Sequence, residues 1–131
     1  MLSPVVLLVD DVAELGLIVQ RFGRRCGYKV VHFLRAEDAY SYLQSATVDL
    51  VLLDINLPGM SGLEFRNLLR TTPNLAHLPV AFLSSKVQLE ELEMEVQEPL
   101  DFVVGKDLLA DPEAWQQRLL EILQKSRRGQ V

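Results

Sequence analysis

Three short apolar runs in this chain end in polar side chains able to do chemistry, and a fourth is followed by a lysine. Val5–Val9 is closed by Asp10 and Asp11, the run through Leu50–Leu53 by Asp54, and Pro79–Leu83 by Ser84. Asp101–Val104 leads through Gly105 to Lys106. Carboxylates brought close together repel and raise one another's pKa unless a cation is present. Oxygen donors of this kind suit Mg²⁺, which keeps several waters and binds phosphate oxygens beside one or two carboxylates. Asn56, two residues past Asp54, is placed to lend a main-chain carbonyl to such an ion. Asp10, Asp11, Asp54 and Asn56 are therefore the candidate metal ligands. The set would receive a phosphoryl group, with the ion on one oxygen, Lys106 on a second and the Ser84 hydroxyl donating to a third. Asp54 would be the nucleophile and form an acyl phosphate.

That chemistry requires the four ends to meet, so the elements carrying them matter. Apolar runs this short, without alternation, suit strands buried on both faces of a parallel sheet. Val5–Val9, Lys29–Phe33, the central run ending at Asp54, Pro79–Leu83 and Asp101–Val104 are the five expected strands. Helical spacing covers Val12–Cys26, with Leu15, Ile18, Val19, Phe22 and Cys26 expected inward, and Ala36–Ala46, with Ala36, Ala39, Tyr40 and Leu43 inward. Further helices are expected over about 62–70 and over 89–96, the latter the shortest. The last starts at Asp111-Pro112-Glu113, an N-cap, a proline at the first position and an acid in the first turn. It carries Trp115, Leu119, Ile122 and Leu123 inward.

Strands alternating with helices make an α/β, doubly wound (βα)5 five-stranded parallel sheet. In such a sheet all the C-terminal strand ends lie along one edge, where ligands bind. Asp54 alone would equally suit a residue that ends a strand and opens a turn; the convergence with Asp10, Asp11, Ser84 and Lys106 decides for a site.

At 131 residues the chain fits one domain, read as 1–126 with a basic flexible tail at 127–131. Hydrophobic residues are 49% and charged residues 24% of the chain, as in an ordinary globular protein. A net charge of −5 disfavours nucleic-acid binding. No apolar stretch approaches the ~20 residues of a membrane-spanning helix. A single cysteine, Cys26, excludes an internal disulfide and, with no secretory leader visible, a cytoplasmic setting is expected. Cys26 reads as a small core residue, His32 as a half-buried strand residue away from the reactive edge, and Lys86 as a side chain flanking it.

The chain resembles the receiver domain of two-component response regulators, the CheY-like family with a flavodoxin-like fold. The resemblance rests on the acidic pair in VLLVDDV, the block DINLPGMSGLE, the strand-ending hydroxyl in AFLSS and the lysine in DFVVGK, in that order. Asp54 precedes Ser84 by 30 residues and Lys106 by 52, spacings similar to the family's. The resemblance implies Asp54 as phosphoacceptor, Asp11 as a direct Mg²⁺ ligand and Asp10 acting largely through metal-bound water. It implies Lys106 as the phosphate-pairing lysine, Ser84 as the hydroxyl that follows the phosphoryl group, and Phe102 as an aromatic switch. Its implied partners are a histidine kinase or histidine phosphotransfer protein and a downstream protein target, and such a receiver assists its own phosphorylation without being an enzyme on a separate substrate.

Two departures stand out. The family usually has Lys-Pro with a cis bond, whereas Lys106 is followed by Asp107. A non-proline cis bond costs about 3 kcal/mol, so a trans bond or a local rearrangement is expected. Gly105 adds a residue between the aromatic and the lysine, leaving Phe102 and Val103 as alternatives for the switch position. The rival readings are a degenerate receiver serving as a constitutive binding module and a Mg²⁺-dependent phosphatase of the haloacid-dehalogenase type. The phosphatase wants a second Asp where this chain has Asn56.

Overall fold

The structure, a computed structural model, describes residues 3–85 and 88–129. Five parallel strands form one sheet: β1 (Val5–Val9), β2 (Lys29–Phe33), β3 (Leu50–Asp54), β4 (Val80–Ser84) and β5 (Asp101–Gly105), in the order β2-β1-β3-β4-β5. The strand order reverses between β1 and β3, which marks the topological switch point of an open α/β sheet. Helices α1 (Ala13–Cys26), α2 (Ala36–Leu43), α3 (Gly62–Thr71), α4 (Leu89–Glu93) and α5 (Pro112–Gly129) connect and cover the strands. Lys106–Ala110 is a 3-10 helix between β5 and α5.

Alternation along each strand divides the core in two. Leu7, Val9, Val51, Leu53, Val80 and Phe82 pack with Ala36, Ala39, Phe65, Leu69 and Leu92 of α2, α3 and α4. Val6, Leu8, Leu50, Leu52, Ala81, Leu83 and Val104 pack with Leu15, Val19 and Phe22 of α1 and Trp115, Leu119 and Ile122 of α5. The central strands β3 and β4 are buried at every position, which is why they read as unbroken apolar runs.

Several helix ends depart from expectation. Ile18 is 38% exposed, because the inward stripe of α1 runs through Gly16 and Gly23 instead. α2 stops at Leu43, before the expected Ala46. α4 is indeed the shortest, five residues held by Leu92. The expected tail is partly helix: α5 continues to Gly129, and Ser126 is buried with its hydroxyl donating to the Leu123 carbonyl at 3.0 Å. The Asp111 cap is present, its Oδ1 accepting from the Ala114 N–H at 3.2 Å.

A buried ionic cluster fixes α3 against the start of β5. The Arg66 guanidinium, 1% exposed, pairs with the Asp101 carboxylate, and Arg70 Nη2 donates to the other Asp101 oxygen at 2.6 Å. Arg66 also donates to the Glu95 carbonyl at 2.7 Å and lies over the Phe82 ring at 5.6 Å. The Gln97 N–H donates to Asp101 at 2.9 Å, so every charge in this pocket has a partner.

Candidate functional site

The edge formed by the C-terminal ends of β1, β3, β4 and β5 gathers the predicted polar residues. Asp10 follows the last paired residue of β1 and Asp54 is the last residue of β3, so alternation gives both the side of the sheet covered by α1 and α5. Oxygens of Asp10, Asp11 and Asp54 all lie within 4.8 Å of one another. Lys106, the residue after β5, brings its Nζ to 3.2 Å from Asp54 Oδ1. Ser84 ends β4, opposite Gly105 and one level beyond the Asp54–Leu83 pair. The convergence expected from the strand ends is seen for Asp10, Asp11, Asp54 and Lys106, while Ser84 ends the neighbouring strand at the same sheet edge.

Burial makes the arrangement costly in itself. Asp10 is fully buried and Asp54 is 4% exposed, whereas Asp11 is open to solvent. Burial pushes the Asp10 carboxyl above the ordinary range; the Val12 N–H, donating to its Oδ1 at 2.8 Å, and Lys106 oppose that, while Asp54 and Asp11 add to it. Asp10 Oδ2 and the Ser84 hydroxyl are buried without hydrogen-bond partners, and Asp54 Oδ1 has only the ionic contact with Lys106. Buried polar atoms are normally satisfied. Three unsatisfied oxygens at one sheet edge, two of them carboxylate, fit a site that receives a hard cation and an oxygen-rich group.

The loop after Asp54 is shaped for close approach. A Cβ at Gly62 would stand 2.2 Å from the Asp54 carbonyl oxygen, so only glycine lets α3 start this near β3. Ser61 caps that helix, accepting from the Glu64 N–H at 3.2 Å while Glu64 reaches back to the Ser61 N–H at 3.4 Å. Asn56 lies in the bend between them, exposed, two residues beyond Asp54.

Of two expectations about β5, the one about the peptide after Lys106 is met and the one about Phe102 is not. The Lys106–Asp107 peptide is not cis; the cis bond among the described residues is Glu98–Pro99, and Lys106 instead opens the 3-10 helix. Asp107 is exposed, and its carboxylate lies against the space a Cβ at Gly105 would fill. Phe102 does not stand behind Ser84. Ser84 shares the parity of Phe82, on the face covered by α2, α3 and α4, and Val103 packs there. Phe102 packs on the opposite face with the Trp115 cluster, so the expected aromatic switch is not at that position in this structure. Lys86 lies outside the described residues.

One residue of the site was missed. His32 Nε2 is 2.8 Å from the Asp10 carbonyl oxygen, although His32 is remote from the acidic pair in sequence. Its sequence signal is a polar residue inside the strand KVVHF, with a glycine, Gly16, interrupting the helix that packs on it.

A family model described as the response regulator receiver domain matches residues 6–119. This chain belongs to that family. The receiver is similar to the chemotaxis protein CheY of Pseudomonas aeruginosa, 27% identical over 108 residues, 80% of this chain and 86% of that protein. It is also similar to the gliding motility regulatory protein of Myxococcus xanthus, 34% identical over 86 residues covering 66% of this chain, and to the response regulator GtcR of Aneurinibacillus migulanus. It spans only 11% and 34% of the length of those two proteins. Among solved structures, CheY4 of Vibrio cholerae superposes with a TM-score of 0.79 at 24% identity, over 92% of this receiver and 98% of CheY4. The receiver domain of an HD domain-containing protein from Pseudomonas fluorescens gives 0.82 at 20% identity, over 99% and 93%. These likenesses establish a CheY-like, flavodoxin-like fold. No helix among the described residues is long and apolar enough to cross a membrane.

Proposed function

We propose that this receiver accepts a phosphoryl group on Asp54 from a histidine kinase or a histidine phosphotransfer protein, and thereby alters a surface read by a downstream protein. The observation that carries this reading is the pairing of a buried Asp54 carboxylate with Lys106 at 3.2 Å, beside two further acids. In the transfer, an Asp54 carboxylate oxygen forms a bond to phosphorus as the bond from phosphorus to the donor imidazole nitrogen breaks, and the imidazole leaves. Lys106 is then placed to pair with the phosphoryl oxygens, and the unpartnered Ser84 hydroxyl to donate to another. Asp10, Asp11 and Asp54, with the Asn56 carbonyl, are the residues that would hold Mg²⁺, which supplies charge neutralisation to the transferring group.

The chain is the acceptor in this chemistry and speeds its own loading and unloading; it is not an enzyme for a separate metabolite. A cytoplasmic location fits the kinase-linked role. The test is incubation with Mg²⁺ and acetyl phosphate, followed by intact-mass measurement. One phosphoryl addition, labile to hydroxylamine and absent from Asp54→Asn, is expected. A wild-type protein that stays unmodified, or an Asp54→Asn variant that is modified equally, overturns the assignment.

A further inference from the structure

We propose that His32 is a positioning residue for the acidic elbow, holding the Asp10–Asp11 peptide so that both carboxylates face the cation. The inference rests on the functional reading above. β1 and β2 pair in register as far as Val9 and Phe33, and beyond that level the chain of β1 turns away toward α1. The Asp10 N–H still donates to the Phe33 carbonyl at 3.1 Å. Its carbonyl has no ladder donor, because β2 ends at Phe33. The His32 ring takes that place: Nε2 lies 2.8 Å from the Asp10 oxygen, and since a carbonyl can only accept, Nε2 carries the proton. Asp10 is thus gripped on both of its backbone polar groups by consecutive residues of one neighbouring strand. The Asp10–Asp11 peptide plane is fixed, and with it the direction in which the two side chains leave the backbone.

α1 is built around that ring. A Cβ at Gly16 would stand 2.0 Å from His32 Nδ1 and 2.5 Å from its Cε1. A glycine within a helix is unfavourable for the helix itself, and here it opens the slot the imidazole occupies. Asp10 Oδ1 meanwhile accepts from the Val12 N–H at 2.8 Å, which leaves Oδ2, buried and unpartnered, as the oxygen available to an ion. Groups that orient metal-binding side chains typically change affinity 10- to 100-fold when removed.

The experiment measures Mg²⁺ affinity by isothermal titration calorimetry for wild type, His32→Phe, His32→Gln and Gly16→Ala, with metal-free thermal melts alongside. His32→Phe keeps a ring for the slot but has no donor, and its Mg²⁺ dissociation constant should rise roughly tenfold. His32→Gln, whose side-chain amide N–H donates from a similar reach, should recover much of that loss. Gly16→Ala, by expelling the ring, should match His32→Phe, and Gly16→Ala combined with His32→Phe should lose no more affinity than either alone. A His32→Phe protein that binds Mg²⁺ like wild type overturns the inference, as does equal weakening by Phe and Gln. A wild-type protein that binds no Mg²⁺ would sink the functional reading as well, whereas the first two outcomes leave that reading intact.

Discussion

Lys106 and Asp54 meet across the width of a strand: β4 lies between the strands that deliver them, yet the ammonium stands 3.2 Å from the carboxylate. The contact is possible because both residues sit at the C-terminal edge, where a long side chain can reach over the end of β4. It offsets part of the charge that Asp10, Asp11 and Asp54 concentrate there.

Replacing Lys106 by Met should therefore slow phosphoryl transfer from acetyl phosphate by about 10- to 100-fold at saturating Mg²⁺. Loss of a fully enclosed charge-stabilising donor costs about 10²–10³, and the Lys106 side chain, 33% exposed, is less enclosed than that. Rates of intact-mass gain give the answer, and an unchanged rate would remove Lys106 from the chemistry.

The fully buried Asp10 holds its proton more tightly folded than unfolded, since burial raises its pKa above 3.8. A raised acid contributes stability that is present at low pH and is lost as pH climbs from the unfolded value through the elevated folded one. At neutral pH the metal-free protein thus carries an unfavourable charge. Asp10→Asn should stabilise it by about 1–3 kcal/mol, and the gain should shrink toward pH 4. The same variant should lose the stabilisation that Mg²⁺ gives wild type. Thermal melts in EDTA and in Mg²⁺ across that pH range test both halves; a destabilised Asn variant at pH 7 in EDTA would contradict the account.

Asp101 pairs with two arginines, one of them Arg66 at 1% exposure. Asp101→Ala should cost about 3–5 kcal/mol, because it strands a buried guanidinium. Arg66→Met combined with Asp101→Leu should recover most of the loss, since Arg70 is 16% exposed and can turn to water. Urea denaturation separates these outcomes, and a double variant no better than Asp101→Ala would show that the cluster holds the fold by more than charge pairing.

Trp115 Nε1 donates to the Tyr28 hydroxyl at 3.0 Å inside the core beneath α1 and α5. Burial pushes the Tyr28 phenol up to about 12, from 10.0. Its protonated form adds stability that is complete below about pH 10 and is lost between there and about 12. Tyr28→Phe should cost about 1–3 kcal/mol at pH 7 by leaving the indole N–H unpaired. It should also flatten the decline of stability above pH 10, followed by chemical denaturation at increasing pH.

Much of this protein could be read from its residues in order. Apolar runs of strand length, broken by helical spacing, determine a parallel α/β sheet, because strands buried on both faces tolerate no polar alternation. Asp10, Asp11, Asp54 and Lys106 are legible as one cluster because parallel strands bring all their C-terminal ends to one edge. The capping box at Ser61 and Glu64 is equally a local feature of the sequence. Other features depend on contacts between residues far apart in the chain. That Phe102 faces the Trp115 core and Val103 the other side follows from the parity of a strand whose register Ser84–Gly105 pairing decides. That Arg66 is buried beneath Asp101, and that His32 reaches the Asp10 carbonyl, follow from how α3 and β2 dock. A local pattern reports which face a residue occupies; only the packed fold decides which charge or carbonyl it meets there.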